Sequence, residues 1–294
     1  MKNDLSYLPS WRQEELKDII QAILTEIRHC EFVILYGSYA PANYKETGNS
    51  PDEAASFRFD YDMLVLTGLE PSAAMYQKLN KIEVRFFNNR RTPIQFLVLS
   101  VQEMNKYLSE GHFYYSRIGR EGVCLYESGR YRLADTAPLD YEKIRTLARQ
   151  YFREKMEKGK SFLRCAAHDY ADRDYQLLSF HLHQACESFF TAILLTFTLS
   201  SRKMHDLSKL LRITCKYVPE LQQWFVTGEA DEKYMFRMLK KAYKEGRYNH
   251  QFALTEGEVG VLREKAEELH RLAAEVCLKQ LEKYDRWAQE KPGA

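Results

Sequence analysis

With 294 residues the chain is long enough for one or two domains, each able to bury a core. Its 43 Lys+Arg against 41 Asp+Glu leave a formal charge of only +2, which excludes a general polyanion-binding field, so contact with nucleic acid would need a local patch. The six cysteines form no CxxC pair and read as reduced, mostly buried thiols of a cytoplasmic protein; Met1 to Arg12 lacks the apolar core of a signal peptide, and the most apolar run, Phe189 to Leu199, is too short for a bilayer, so no membrane partner is expected.

In chain order, Ser10 is a plausible N-cap with Gln13 completing a capping box, and Leu16, Ile19, Ile20, Ile23, Leu24 and Ile27 recur at helical spacing. Phe32 to Tyr36 reads as a short apolar strand running into Gly37-Ser38. The polar stretch over 40–58 reads as a loop, either a wall for an acceptor substrate or an insertion without a role. A strand then begins at Asp60-Tyr61-Asp62 and runs to Leu66. Pro71 opens a helix through about Asn80, Ile82 to Phe87 is expected as a further strand, and Pro93 to Leu99 is a stronger one. Helical segments at Gln102 to Leu108 and Phe113 to Ile118 precede a last short strand, Val123 to Tyr126. Strands separated by helices predict an α+β domain over 1–130, with 131–140 as linker.

Asp60 and Asp62 leave the same face of their strand, about 7 Å apart along the backbone. Two carboxylates at a strand start suit a hard cation, Mg²⁺ or Mn²⁺, that shares its shell with water and phosphate oxygens. Gly37 permits a sharp turn and close approach of a ligand, and the Ser38 hydroxyl with nearby N–H groups suits phosphate. The combination of Gly37-Ser38 with Asp60-x-Asp62 resembles the GS…DxD signature of the minimal nucleotidyltransferases of the DNA polymerase beta superfamily. That resemblance implies a mixed sheet with flanking helices, a nucleoside triphosphate held at Gly37 and Ser38, and metal held by Asp60 and Asp62. It also implies a third carboxylate on a later strand, and the corresponding position here is Gln95. A glutamine cannot take a proton from an acceptor hydroxyl as a carboxylate can. Glu83 could substitute if Ile82 to Phe87 is a strand facing the site.

From 141 to 294 the texture is helical. Apolar residues recur at helical spacing from Ile144 to Ala166, Tyr175 to Leu199 is apolar on nearly all sides in its second half, His205 to Tyr217 and Glu232 to Tyr243 are shorter, and Glu256 to about Tyr284 shows heptad-like spacing. Five such segments with short joins predict an all-α, up-down bundle. Leu182-His183-Gln184-Ala185-Cys186-Glu187, Lys203-Met204-His205-Asp206-Leu207 and Lys241-Ala242-Tyr243 leading to Arg247-Tyr248 resemble the HEPN family of helical domains, found beside minimal nucleotidyltransferases. His183 and Glu187 share one helix face, and with His205 and Arg247 they could form a pocket for a nucleotide or acceptor; a buried His183–Glu187 hydrogen bond that only fixes packing is the competing reading. Arg263 and His270 fit the Arg-x4-6-His spacing of HEPN ribonucleases, but charged residues beside an apolar seam read better as a solvated face.

The expectation is an Mg²⁺-dependent enzyme that moves a nucleoside monophosphate, AMP foremost, from a triphosphate to a hydroxyl of a small molecule, protein or RNA, with the helical domain a possible site of homo-oligomer contact. The alternatives are a nucleotide-binding regulatory or toxin–antitoxin-like module weakened at Gln95, and an RNA-cleaving HEPN protein.

Overall fold

The computed structural model describes residues 4–40, 60–90, 93–200, 204–225, 230–249 and 251–290, so the expected 40–58 loop lies outside the described residues beyond Ala40. The chain divides into two compact units, Met1–Leu139 and Asp140–Ala294.

The first unit runs α1 (Ser10–Glu26), β1 (Cys30–Tyr36), a 3-10 turn (Gly37–Tyr39), β2 (Tyr61–Thr67), α2 (Ala73–Arg90), β3 (Ile94–Ser100), α3 (Val101–Ser109), α4 (Phe113–Glu121) and β4 (Val123–Glu127). The four strands form one mixed sheet in the order β3-β2-β1-β4, with β2 and β3 parallel and β1 antiparallel to both β2 and β4. Strand alternation sorts the side chains into two cores. Val33, Leu35, Met63, Val65, Phe96 and Val98 pack with Leu16, Ile19 and Ile23 of α1 and Leu79, Ile82 and Phe86 of α2. Phe32, Ile34, Leu64, Leu66, Leu97 and Leu99 pack with Met104 and Leu108 of α3 and Tyr115 and Ile118 of α4. With both faces covered, β2 is buried at every position, and Met63 to Leu66 within it is a continuous apolar run rather than an alternating one.

Two local expectations are corrected. Ile82 to Phe87 is not a strand but the second half of α2, where Leu79, Ile82 and Phe86 recur at helical spacing and face the core; six residues were too few to separate a period of 2 from one of 3.6. The capping box is not formed: Ser10 is already helical behind Pro9, and Gln13 Nε2 donates to the Leu8 carbonyl at 2.8 Å. The division between the units falls after Leu139, inside the expected 131–140 linker, and the residues before it also touch the first unit. Asn105 bonds the Arg132 carbonyl and the Ala134 amide, Ala137 N–H donates to the Leu108 carbonyl, and Tyr131 and Leu133 pack on the α3/α4 side. Pro138 there marks irregular backbone, not freedom from the core.

The second unit runs α5 (Tyr141–Ala171), α6 (Tyr175–Thr198), α7 (Leu207–Thr214), a 3-10 turn (Pro219–Gln223), α8 (Ala230–Tyr248) and α9 (Glu256–Glu290). Asp140, Asp174 and Asp206 cap α5, α6 and α7, each carboxylate accepting from an N–H of the first turn. Helix α6 forms the centre: Leu178, Leu182, Ala185, Cys186, Phe189, Phe190 and Ile193 are fully buried in one core with Leu239 of α8 and Val259, Leu262, Ala266 and Leu269 of α9. Among the described residues no helix is long and apolar enough to cross a membrane.

Candidate functional site

The start of β2 sets the geometry of the first unit. Alternation turns Tyr61 toward α1 and sends Asp60 and Asp62 to the other side, where register places Asp62 opposite both Tyr36 of β1 and Gln95 of β3. Both aspartates are 4% exposed. Gln95 Nε2 donates to Asp60 Oδ2 at 2.6 Å. Gly37 adopts φ +72°, and a Cβ added there would sit 2.3 Å from Asp62 Oδ2, so the carboxylate rests on the bare Cα of the turn. Ser38 follows in the same turn, half-buried. The fold thus gathers Gly37, Ser38, Asp60, Asp62 and Gln95 at one end of the sheet.

Glu83 is not among them. It lies on α2, and its Oε1 is 3.4 Å from the Phe96 amide nitrogen, on the sheet face opposite the aspartates, because α2 covers the Phe96 side. Tyr36 and Tyr114 went unnoticed in the sequence. The Tyr114 hydroxyl donates to that of Tyr36 at 3.2 Å, and its acidity is suppressed well beyond the ordinary phenol by burial first, then by the Tyr36 phenol and the Asp62 charge. Period-2 alternation along β1 could have found Tyr36; no local signal marks Tyr114, which arrives on α4.

Behind the acids lies a buried polar group, also unforeseen. The Tyr61 hydroxyl donates to Glu15 at 2.9 Å, Arg12 reaches both Glu15 and Tyr61 Oη at 3.2 Å, and the guanidinium lies over the rings of Trp11, Tyr39 and Tyr61. Tyr7 Oη donates to the Tyr39 carbonyl at 2.7 Å. A buried charge is tolerable only when paired and hydrogen-bonded, as here, and the network ties α1 to the Gly37–Tyr39 turn and to the residue between the two aspartates.

The donor set fits a hard cation. Among the described residues no group of three or more His, Cys, Asp or Glu is placed to hold a metal, so Asp60 and Asp62 would supply two carboxylates and leave the rest of the shell to water and phosphate oxygens, a division that suits Mg²⁺.

In the second unit the structure brings His183, Glu187, His205 and Arg247 together around Tyr243. The buried His183 ring does not make the hydrogen bond to Glu187 of the competing packing reading, since Glu187 is 3.8 Å away; its two nitrogens face the carbonyls of Leu239 at 3.0 Å and His205 at 3.1 Å. Sequence spacing placed the pair on one face but could not show that backbone carbonyls lie nearer. Burial pushes the His183 imidazole below its ordinary value, against the Leu239 carbonyl, Glu187 and the His205 carbonyl, which pull it up. Glu187 instead holds His205 Nδ1 at 3.0 Å. The exposed His205 ring stacks on Tyr243 at 4.9 Å, and the Arg247 guanidinium lies 4.4 Å from the same ring. Arg263 and His270 sit seven residues apart on one face of α9, yet both are half-buried rather than solvated. Arg263 lies over Tyr170, and His270 is 5.0 Å from the Phe189 ring.

The architecture is therefore a mixed-sheet unit with paired acids at one sheet end, followed by a helical unit. A family model of the HEPN domain matches residues 152–277, so the helical unit carries a HEPN domain. Among solved structures, the chain is similar to a nucleotidyltransferase-like protein from Exiguobacterium sibiricum 255-15, solved at 1.90 Å, with 11% identity and a TM-score of 0.27 over 95% of this chain and 81% of that one. Comparison with curated proteins returns no match.

Proposed function

We propose that the first unit transfers a nucleoside monophosphate, AMP foremost, from a nucleoside triphosphate to a hydroxyl acceptor with a divalent cation at Asp60 and Asp62. The observation that carries this reading is the Asp62 carboxylate seated on the Gly37 turn with Asp60 two residues before it on the same strand face. The turn brings backbone N–H groups and the Ser38 hydroxyl to a triphosphate. When bound, Mg²⁺ neutralises charge on the phosphoryl oxygens and on the departing pyrophosphate. Gln95 fixes Asp60 through its amide and cannot take the acceptor's proton, which leaves instead through water or a phosphate oxygen. In the HEPN domain, His205 oriented by Glu187 and the nearby Arg247 suit a phosphate or ribose.

The test is pyrophosphate release from α-labelled nucleoside triphosphates with Mg²⁺ and pools of small-molecule, protein and RNA acceptors. Asp60→Asn and Asp62→Asn should each abolish release. Release that survives both substitutions refutes the assignment. The Gln95–Asp60 bond favours one second reading, triphosphate binding without turnover in a regulatory module; tight Mg²⁺-dependent binding with no pyrophosphate from any pool would select it.

A further inference from the structure

Strand β4 ends the sheet, and over its half of the α3/α4 face lies a cavity of about 650 Å³. Phe32 and Cys124 belong to that face and line the floor, and register sets Glu127 opposite Phe32. Leu108 near the end of α3 and Leu133 to Thr136 supply the walls, and the exposed Glu127 and Asp135 lie at the mouth. Phe32 precedes Tyr36 by four residues, so the cavity is about 13 Å along β1 from the level of Asp62.

The walls are held in place. Asn105 Nδ2 donates to the Arg132 carbonyl at 3.1 Å, its Oδ1 accepts from the Ala134 N–H at 2.8 Å, and Ala137 N–H donates to the Leu108 carbonyl at 2.9 Å. A preformed cavity of this volume is of the size that takes one small molecule.

Its charge is one-sided. No Lys, Arg or His lines it, and among the described residues neither the Glu127 nor the Asp135 carboxylate has an ion-pair or hydrogen-bond partner. Other acids of this unit are engaged: Glu31 holds Arg130 and Ser128, Glu121 holds Arg117, and Glu103 accepts from Tyr107. The field reaches the floor, where burial first and then the Glu127 charge push the Cys124 thiol above its ordinary value. An anion is repelled from such a cavity, and a neutral ligand leaves both carboxylates unused. A metal ion asks for more oxygen donors, whereas this floor is carbon and sulfur, and among the described residues no third acid joins the pair. We infer that the cavity binds a small organic cation, its apolar body on Phe32, Leu108 and Leu133 and its ammonium at Glu127 and Asp135. This site stands independently of the chemistry assigned to Asp60 and Asp62.

The test is titration of the full chain, followed by saturation-transfer NMR, with tryptamine, tryptophol and indolepropionate, indoles of similar shape that carry an ammonium, a hydroxyl and a carboxylate. Tryptamine should bind at least about tenfold more tightly than tryptophol at low salt, and indolepropionate should not bind. Glu127→Gln/Asp135→Asn should remove that preference with no thermal shift, because both side chains are exposed and hold nothing in place. Cys124→Phe, which fills the floor with a residue that strands accommodate, should weaken tryptamine and tryptophol alike. Glu14→Gln, which removes an exposed acid of α1, should match the unaltered chain. The inference is overturned if none of the three indoles binds, if tryptophol or indolepropionate binds as tightly as tryptamine, or if the acid double variant keeps the preference for the ammonium.

Discussion

Replacing Gly37 by alanine tests the proposed site at its tightest contact. The added Cβ would lie 2.3 Å from Asp62 Oδ2, so the carboxylate must retreat by about 1 Å to reach ordinary van der Waals distance. The turn also holds φ at +72°, where a side chain costs about 1–2 kcal/mol, equivalent to about 3–7 °C in the melting of a unit of this size. Gly129 separates the two effects: it holds φ +77°, yet a Cβ there meets nothing within 4 Å. Gly129→Ala should show a comparable thermal shift and unchanged Mn²⁺ affinity, read by electron paramagnetic resonance titration of the full chain. Gly37→Ala should lose at least about tenfold in Mn²⁺ affinity, about 1.4 kcal/mol, beyond its thermal shift. Equal Mn²⁺ affinities for the two variants would show that the Asp62–Gly37 contact does not position a metal ligand.

Gln95→Glu replaces the amide that donates to Asp60 by a third carboxylate; it should lower the melting temperature in a chelator and recover with Mg²⁺, and equal melting in both conditions would remove residue 95 from the cation's surroundings. Arg12→Ala strands the buried Glu15 and should cost about 3–5 kcal/mol in urea unfolding, against about 1–3 for Tyr61→Phe, which deletes only the hydroxyl; the reverse order would contradict the network. His183 and His270 both have imidazoles held below the ordinary 6.5 by burial first. Their unfolded rings therefore take up protons near pH 6.5 before the folded ones do, and stability falls as pH drops below that value and is retained above it. His183→Gln should flatten the pH dependence of the urea midpoint; an unchanged profile would assign the dependence elsewhere.

Much of the arrangement was legible because it rests on short-range periodicity. Apolar strands and amphipathic helices announce themselves locally, and two aspartates one residue apart must share a strand face. The strand that carries Gln95 was legible, while residue 95 itself was singled out only by the resemblance to the nucleotidyltransferase pattern. Glu83 shows the limit: its role turned on whether six residues formed a strand or the end of a helix, and only packing of Leu79, Ile82 and Phe86 against the sheet decided it. His183 shows another, since a side chain's partner depends on which backbone carbonyls tertiary packing brings within reach.

The sequence by itself determined the two-part plan, the acid pair and the Gly37 turn, because each follows from neighbours a few positions apart. Tertiary structure alone decided that Asp62 rests on Gly37, that Gln95 holds Asp60, that Tyr114 joins the site and that Arg12 and Glu15 are buried beneath it. These are contacts between segments tens of residues apart, and register, helix placement and desolvation, which set them, are properties of the folded chain rather than of any one stretch.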